Sequence, residues 1–327
     1  MTADTYLDSF LAPLAPYLGQ NDVTDIWINR PGELWTERLG GRIERFDTPS
    51  LDDRTLARLA RQIAAISAQG ISRAEPLLAA TMPDGSRVQI VAPPATRNGS
   101  HAFAIRRHVS SDLSLDDWEE AGGFDRIEGS GTALDMDRAF RPVCGGDAKE
   151  LLRDAVRSRK NIIISGGTSS GKTTFLNTLL AEISAGERLV TIEDTEELKL
   201  RHENAVGLLA ARGSMAEAHV AAEDLLIAAL RMRPDRIILG ELRGPEASTF
   251  LRAVNTGHPG SMTTIHADTA ARAIEQLVLL VLQSGSKLSR DDVRHYVTTS
   301  IDVFVQLERG LEGRRVSAMV SSQNSAK

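Results

Sequence analysis

Three short runs of this chain carry side chains that handle phosphate or protons, at spacings that chemistry can use. The first is Gly166-Gly167-Thr168-Ser169-Ser170-Gly171-Lys172-Thr173, followed by Thr174, and it fits G-x-x-x-x-G-K-[ST] at every fixed position. The glycines let backbone N–H groups turn towards phosphate oxygens, and a helix opening at Lys172 adds the positive end of its dipole. Lys172 is placed to reach the β- and γ-phosphates of a nucleotide, and Thr173 to offer its hydroxyl to Mg²⁺. The expected ligands are ATP and Mg²⁺.

The second run is acidic. Arg236-Ile237-Ile238-Leu239 is apolar after its arginine and ends in Gly240-Glu241, so an acid stands where a buried strand stops. Open parallel sheets place their ligand crevice at such strand ends, and Glu241 there can orient or deprotonate an attacking water. Gly240 stands where a second nucleotide motif usually has Asp. Another acidic cluster, Glu193-Asp194-Thr195-Glu196-Glu197, follows the apolar run Leu189 to Ile192. Glu193 or Asp194 can hold Mg²⁺ through water, which compensates for the missing Asp.

The third run is Thr256-Gly257-His258-Pro259-Gly260-Ser261-Met262-Thr263-Thr264-Ile265-His266-Ala267-Asp268. An imidazole here can hydrogen-bond a γ-phosphate and report its loss. His266, beside Thr263, Thr264 and Asp268, is the better candidate of the two histidines. A zinc site does not suit the run, since no cysteine is near and the histidines are not one helical turn apart.

These groups need a scaffold that brings strand ends together. Asn161 to Ser165, Leu189 to Ile192 and Arg236 to Leu239 read as buried strands. Lys172 to Ile183, Met215 to Met232 and Ala270 to Gln283 read as helices. The alternation predicts an α/β fold whose mostly parallel sheet is flanked by helices. Upstream, strands are expected at Val23 to Asn29, Leu34 to Arg38, Arg87 to Val91 and His101 to Ile105. A helix opened by a Ser50/Asp53 capping box, with Leu56, Leu59, Ile63 and Ile66 on one face, joins them. Residues 1–110 are therefore expected to form a smaller α+β domain, and 111–327 a linker plus the larger α/β domain. Gly129-Ser130-Gly131 and Cys144-Gly145-Gly146 read as loops.

The bulk numbers set outer bounds. The 327 residues are 42% hydrophobic and 25% charged, an ordinary globular composition. A net charge of -6 and 4% aromatic residues count against an extended nucleic-acid groove, so no direct nucleic-acid partner is expected. The one cysteine, Cys144, permits neither an internal disulfide nor a cysteine zinc cluster. The first residues lack the basic start of a signal peptide, and the apolar stretch near Leu277 to Leu282 is far short of the roughly 20 residues that span a bilayer. A cytoplasmic protein is expected.

The phosphate loop, Ile192-Glu193-Asp194-Thr195-Glu196, the Gly-Glu strand end and the two-histidine run occur in the order found in the secretion ATPases of type II and type IV systems, which the chain resembles. The run Arg231-Met232-Arg233-Pro234-Asp235-Arg236-Ile237-Ile238-Leu239-Gly240-Glu241-Leu242-Arg243-Gly244 is especially similar to the type IV traffic ATPases. The similarity is strong from Leu151 to Leu282, weaker in the first domain and absent from Gly129 to Asp147. It implies a RecA-like ATPase domain and a homo-hexameric ring, with nucleotide bound between the two domains of each subunit. It also implies that Glu193 and Asp194 form the family's acidic box, that Glu241 is its catalytic glutamate and that His266 senses the γ-phosphate. Arginines of the first domain reach the phosphates in this family. Arg87 and Arg106 stand in matching contexts, with Arg107 as the alternative to Arg106. The implied partners are inner-membrane secretion-machine proteins and a secreted protein or conjugative substrate, with peripheral attachment to the inner face of the cytoplasmic membrane. A pilus assembly or retraction ATPase of the same superfamily is the alternative. A nucleic-acid translocase fits the charge and the aromatic content less well, and a small-molecule kinase lacks a recognisable acceptor site.

Overall fold

In the computed structural model, which describes residues 11–38, 41–67, 69–107, 112–127, 140–143, 148–210, 220–310 and 313–322, the described residues up to 107 form one unit and those from 112 onward a second. The first unit opens with a short helix, α1 (Ala15–Leu18). It continues through β1 (Val23–Ile28), β2 (Gly32–Arg38), β3 (Ile43–Thr48), α2 (Asp53–Ile66), β4 (Leu77–Thr81), β5 (Arg87–Val91) and β6 (Ala102–Arg106). The strands make one six-stranded sheet in the order β3-β2-β1-β6-β5-β4, every neighbouring pair antiparallel.

Helix α2 buries Leu56, Leu59, Ala60, Ile63 and Ala64 along one stripe, and these join Ile26, Ile28, Val88, Ile90, Phe103 and Ile105 of the sheet in a single core. Its cap is not the Ser50/Asp53 box expected from the sequence. Asp52 occupies the extended N-cap position, and its carboxylate accepts the Thr55 N–H at 2.7 Å. A cap of this kind contributes about 1 kcal/mol.

The second unit begins with α3 (Leu115–Glu120) and β7 (Phe140–Pro142). Then come α4 (Ala148–Arg157), β8 (Ile162–Gly166), α5 (Lys172–Ala181), β9 (Leu189–Glu193), β10 (Ala205–Leu209), α6 (Ala222–Ala229), β11 (Arg236–Leu242), α7 (Glu246–Asn255) and β12 (Met262–His266). The chain closes with α8 (Ala270–Gln283), α9 (Arg290–Ser300), β13 (Val303–Gly310) and β14 (Gly313–Ser322). Its sheet runs β10-β9-β11-β12-β8-β13-β14-β7, parallel from β10 to β13 and antiparallel over β14 and β7.

The central strands are apolar on both faces, as strands covered by helices on each side must be. On one face Ile163, Val190, Ile237 and Leu239 pack with Leu226, Phe250, Leu277 and Val297 of helices α6 to α9. On the other, Ile162, Ile164 and Ile238 pack with Leu152, Phe175 and Leu179 of α4 and α5. The expected strand-and-helix alternation is present, although the helix expected over 215–232 is confined to Ala222–Ala229 among the described residues. The loops predicted at Gly129-Ser130-Gly131 and Cys144-Gly145-Gly146 lie outside the described residues.

A charged pair sits inside this framework. Arg236 is fully buried at the start of β11, where Glu187 grips its guanidinium at 2.7 and 2.8 Å and the Val156 carbonyl accepts at 2.8 Å. Removing one partner of such a pair costs roughly 3–5 kcal/mol, because the other is left charged and dry. The pair anchors the base of the strand whose far end carries Glu241. Among the described residues no helix is long and apolar enough to cross a membrane.

Candidate active site

The loop between β8 and α5 owes its shape to residues that tolerate a left-handed backbone. Ser169 has φ +61° and Gly171 φ +94°, and Gly171 caps α5 with its backbone alone. Gly166 is required for a different reason. A Cβ there would stand 2.4 Å from Ser170 Oγ and 2.9 Å from the Leu307 carbonyl, so any side chain would break the loop's contact with β13. Ser170 Oγ donates to the Gly167 carbonyl at 2.9 Å and closes the turn, leaving Thr168 and Ser169 exposed at its crest. Lys172 is buried, and its Nζ donates to the Gly166 and Gly167 carbonyls at 2.9 and 3.0 Å. Burial holds its pKa below the usual lysine value. Thr173 is half-buried and Thr174 buried in the first turn of α5.

Register brings the other two sequence runs to the same place. Gly166 is the partner of His266 on β12, and β11 lies on the far side of β12. The pairing of β11 is irregular between Leu239 and Leu242, the stretch that holds Gly240 and Glu241. A local break of this kind re-aims a side chain at the end of a strand. Thr264 Oγ1 donates to the Gly240 carbonyl at 2.7 Å and holds the break in place.

Glu241 consequently meets His266, whose Nε2 lies 3.0 Å from its Oε1. That oxygen is buried and receives no aligned hydrogen bond. The other oxygen accepts from the Arg243 guanidinium, with Nε at 2.7 Å. The ring nitrogens of His266 lie 3.4 and 3.5 Å from Lys172 Nζ. Burial and the nearby Lys172 cation hold the imidazole below its usual pKa.

Glu193 and Asp194 are adjacent in sequence but differently placed. Glu193 is buried, and its Oε2 accepts the backbone N–H groups of Glu197 and Leu198 at 2.9 and 2.8 Å. Desolvation raises its pKa to about 7 despite these hydrogen bonds. Its role in the fold is to pin the loop that follows β9. Asp194 is half-buried, with Arg243 at 3.4 Å. Gly240 now has a physical reason. A Cβ there would touch Glu193 Cγ at 3.4 Å, so an Asp would begin in contact with a buried acid.

Several residues that sequence reading passed over hold this arrangement. Arg243 bridges Glu241 and Asp194. Buried Glu246 accepts the backbone N–H groups of Arg243 and Gly244, each at 2.8 Å, and so fixes the turn that presents Arg243. Asn177 on α5 donates to the Glu197 carbonyl at 3.0 Å and accepts from Lys199 N at 2.8 Å, clamping the acidic loop to the helix of the phosphate loop. Gln306 on β13 accepts from Ser165 at 2.5 Å and donates to the Ala267 carbonyl at 3.1 Å. Arg243 stands beside Gly244-Pro245 at a predicted strand end, a signal that could have found it. The others depend on pairings distant in sequence.

His258 is tied instead to the end of α7, with Nδ1 3.3 Å from the Ala253 carbonyl. In the first unit, Arg87 on β5 and Arg106 on β6 are direct register partners. Val88, Ile90, Phe103 and Ile105 point into the core, so both arginines occupy the opposite face of their sheet. Arg106 Nε donates to Asp25 at 3.1 Å. Arg107 is spent elsewhere, donating to the backbone carbonyls of Gln20 and Val23.

The donor set fits a magnesium nucleotide. Backbone N–H groups surround a left-handed loop, Thr173 supplies a hydroxyl, Asp194 a carboxylate and Glu241 a buried oxygen without an aligned donor. Among the described residues no cluster of three or more His, Cys, Asp or Glu side chains forms a metal site of protein ligands alone. A cation there would share its ligands with phosphate, as Mg²⁺ does.

Comparison with known proteins places these features in one family. The family model described as type II/IV secretion system protein matches residues 142–318. The type IV secretion system protein VirB11 of Bartonella henselae is 40% identical over 322 residues, covering 93% of this chain and 89% of its own length. The type IV secretion system protein PtlH of Bordetella pertussis is 40% identical over 314 residues, with coverage of 93% and 90%. Among solved structures, the VirB11 ATPase of the Brucella suis type IV secretion system, in complex with sulphate, is 35% identical. It superposes with a TM-score of 0.51 over 98% of each chain.

Proposed function

The chain belongs to the type II/IV secretion system protein family, and from that premise we propose that it is a Mg²⁺-dependent ATPase that drives a type IV secretion or conjugation machine as a homo-hexameric ring. The observation that carries the reading is that His266 lies 3.0 Å from Glu241 and 3.4–3.5 Å from Lys172 at the mouth of the phosphate loop. Three runs far apart in sequence supply these groups, and a merely structural turn has no use for all three.

In this reading the Gly166 to Thr174 segment holds the phosphates of ATP, and Lys172 leaves its loop carbonyls for the β- and γ-oxygens. Thr173 and Asp194 or Glu193 would hold Mg²⁺, which would neutralise charge on the phosphate oxygens. Asp194 is the better of the two acids, because Glu193 is committed to backbone N–H groups. Glu241 accepts a proton from the attacking water through the oxygen that has no aligned donor, while Arg243 fixes the other. His266, neutral at physiological pH, donates one N–H to the γ-phosphate and so reports its presence to Glu241.

Arg87 and Arg106, register partners on β5 and β6, are the residues that the family resemblance assigns to the phosphates. Loss of the γ-phosphate on hydrolysis supplies the conformational change that drives the machine. The protein works in the cytoplasm, at the inner face of the cytoplasmic membrane, against inner-membrane components and a secreted protein or conjugative substrate.

Lys172→Ala tests the phosphate-loop assignment. The variant should remain folded and lose Mg-ATP turnover. Near-wild-type turnover would sink the reading.

A further inference from the structure

The β13–β14 hairpin brings an arginine to the phosphate loop that none of the motifs contains. Arg314 lies across Gly171: a Cβ on that glycine would stand 2.7 Å from Arg314 Cδ and 3.3 Å from Nε. Gly171 is the residue that caps α5, so the guanidinium stem crosses the positive end of the phosphate-loop helix. A cation has no electrostatic reason to rest at a helix N-terminus unless an anion joins it.

The surroundings of Arg314 reinforce this. Its direct register partner is Arg309, a like charge. Among the described residues no carboxylate pairs with Arg314, whereas its neighbour Arg315 is matched by Glu308 at 3.0 Å. Successive residues of a strand point to opposite faces. Arg315 takes the side with an acid, and Arg314 takes the side with the loop. Burial and Arg309 together disfavour its charge.

The order of the sheet says which end of a nucleotide Arg314 serves. Strand β8 leads into the loop. Glu241 and His266 come from β11 and β12 on one side of it, and Arg314 comes from β14 on the other. The γ-phosphate belongs with Glu241 and His266, which leaves the opposite flank for the nucleoside end. We infer that Arg314 is a nucleotide-positioning residue that holds the α-phosphate and nucleoside end of the bound nucleotide, the part that ATP and ADP share. A planar guanidinium suits either job there, forking onto phosphate oxygens or stacking on a base. This inference rests on the phosphate-loop reading of the preceding section and adds a residue to it.

The test is equilibrium binding of fluorescent ADP and of a fluorescent non-hydrolysable ATP analogue, both with Mg²⁺. Wild type, Arg314→Ala, Arg314→Lys and Lys172→Ala are compared alongside steady-state kinetics. Arg314→Ala should weaken both nucleotides in parallel, by about tenfold, and raise KM more than it lowers kcat. Arg314→Lys should recover part of the affinity. Unchanged affinity for both nucleotides would overturn the inference. So would loss of the triphosphate alone, which would put Arg314 at the γ end. Should Arg314→Ala fail to fold, Arg314→Gln and Arg314→Lys carry the same comparison. The two readings fail differently. If wild type binds neither nucleotide, the phosphate-loop assignment falls. If wild type binds both, Lys172→Ala does not and Arg314→Ala matches wild type, only the role of Arg314 falls.

Discussion

His266 Nε2 stands 3.0 Å from Glu241 Oε1, and the same ring lies 3.4 Å from Lys172 Nζ. One imidazole therefore touches both the group assigned to activate water and the group assigned to hold phosphate. A ring held below its usual pKa is neutral at physiological pH, so one nitrogen donates and the other accepts. His266→Ala should lower kcat by about 10²-fold, the low end of what a positioned proton-handling group supplies, and change ATP affinity by only a few fold. Steady-state turnover measured beside equilibrium binding separates the two effects. A loss confined to affinity would make His266 a packing residue of the loop.

Arg87 and Arg106 face each other across β5 and β6, whereas Arg107 is bonded to backbone carbonyls near α1. The three arginines should therefore separate in mutagenesis. Arg87→Ala and Arg106→Ala should each cut turnover by about 10³-fold, as for an arginine supplied to a transferring phosphate, and Arg106→Ala should also lower the melting temperature because buried Asp25 loses its partner. Arg107→Ala should lower the melting temperature alone, since two carbonyls lose their donor. Turnover and thermal unfolding of the three variants, run side by side, check the assignment.

The phosphate loop, the Glu241 strand end and His266 were legible in the sequence because each is a contiguous run with its own spacing. The parallel sheet was legible too, since Ile162 to Ile164 and Ile237 to Leu239 are apolar without alternation, and only a sheet buried on both faces needs that. Strands β13 and β14 escaped notice because Val303–Gly310 mixes apolar and charged residues and carries no motif, although it is a direct neighbour of β8. The clamp by Asn177, the support from Gln306 and the approach of Arg314 to Gly171 join residues far apart in the chain. Local spacing has no access to them. The choice between Glu193 and Asp194 also needed coordinates, because two adjacent acids look alike until one is seen bound to backbone N–H groups.

Glu193 supplies a pH test. Its folded-state pKa is about 7 against an ordinary value of 4.5, so the folded state holds this proton more tightly than the unfolded chain. Stability therefore falls as pH rises from the ordinary value through about 7, and the penalty is complete above that. Glu193→Gln keeps an oxygen for the Glu197 and Leu198 N–H groups and removes the charge. Its melting temperature should match wild type near pH 5 and exceed it by several degrees near pH 8, where the removed penalty is on the order of 3 kcal/mol. Thermal unfolding across that range checks it. A difference independent of pH would mean that Glu193 is not titrating in this window.

The central claim is that Glu241 drives hydrolysis in a ring-forming motor. It is tested most directly by measuring ATP turnover and native mass together, for wild type and Glu241→Gln, across a range of protein concentrations. The account predicts that wild-type turnover rises as hexamers form, while Glu241→Gln assembles and binds ATP but does not hydrolyse it. A monomer with concentration-independent turnover, or a fully active Glu241→Gln, would contradict it.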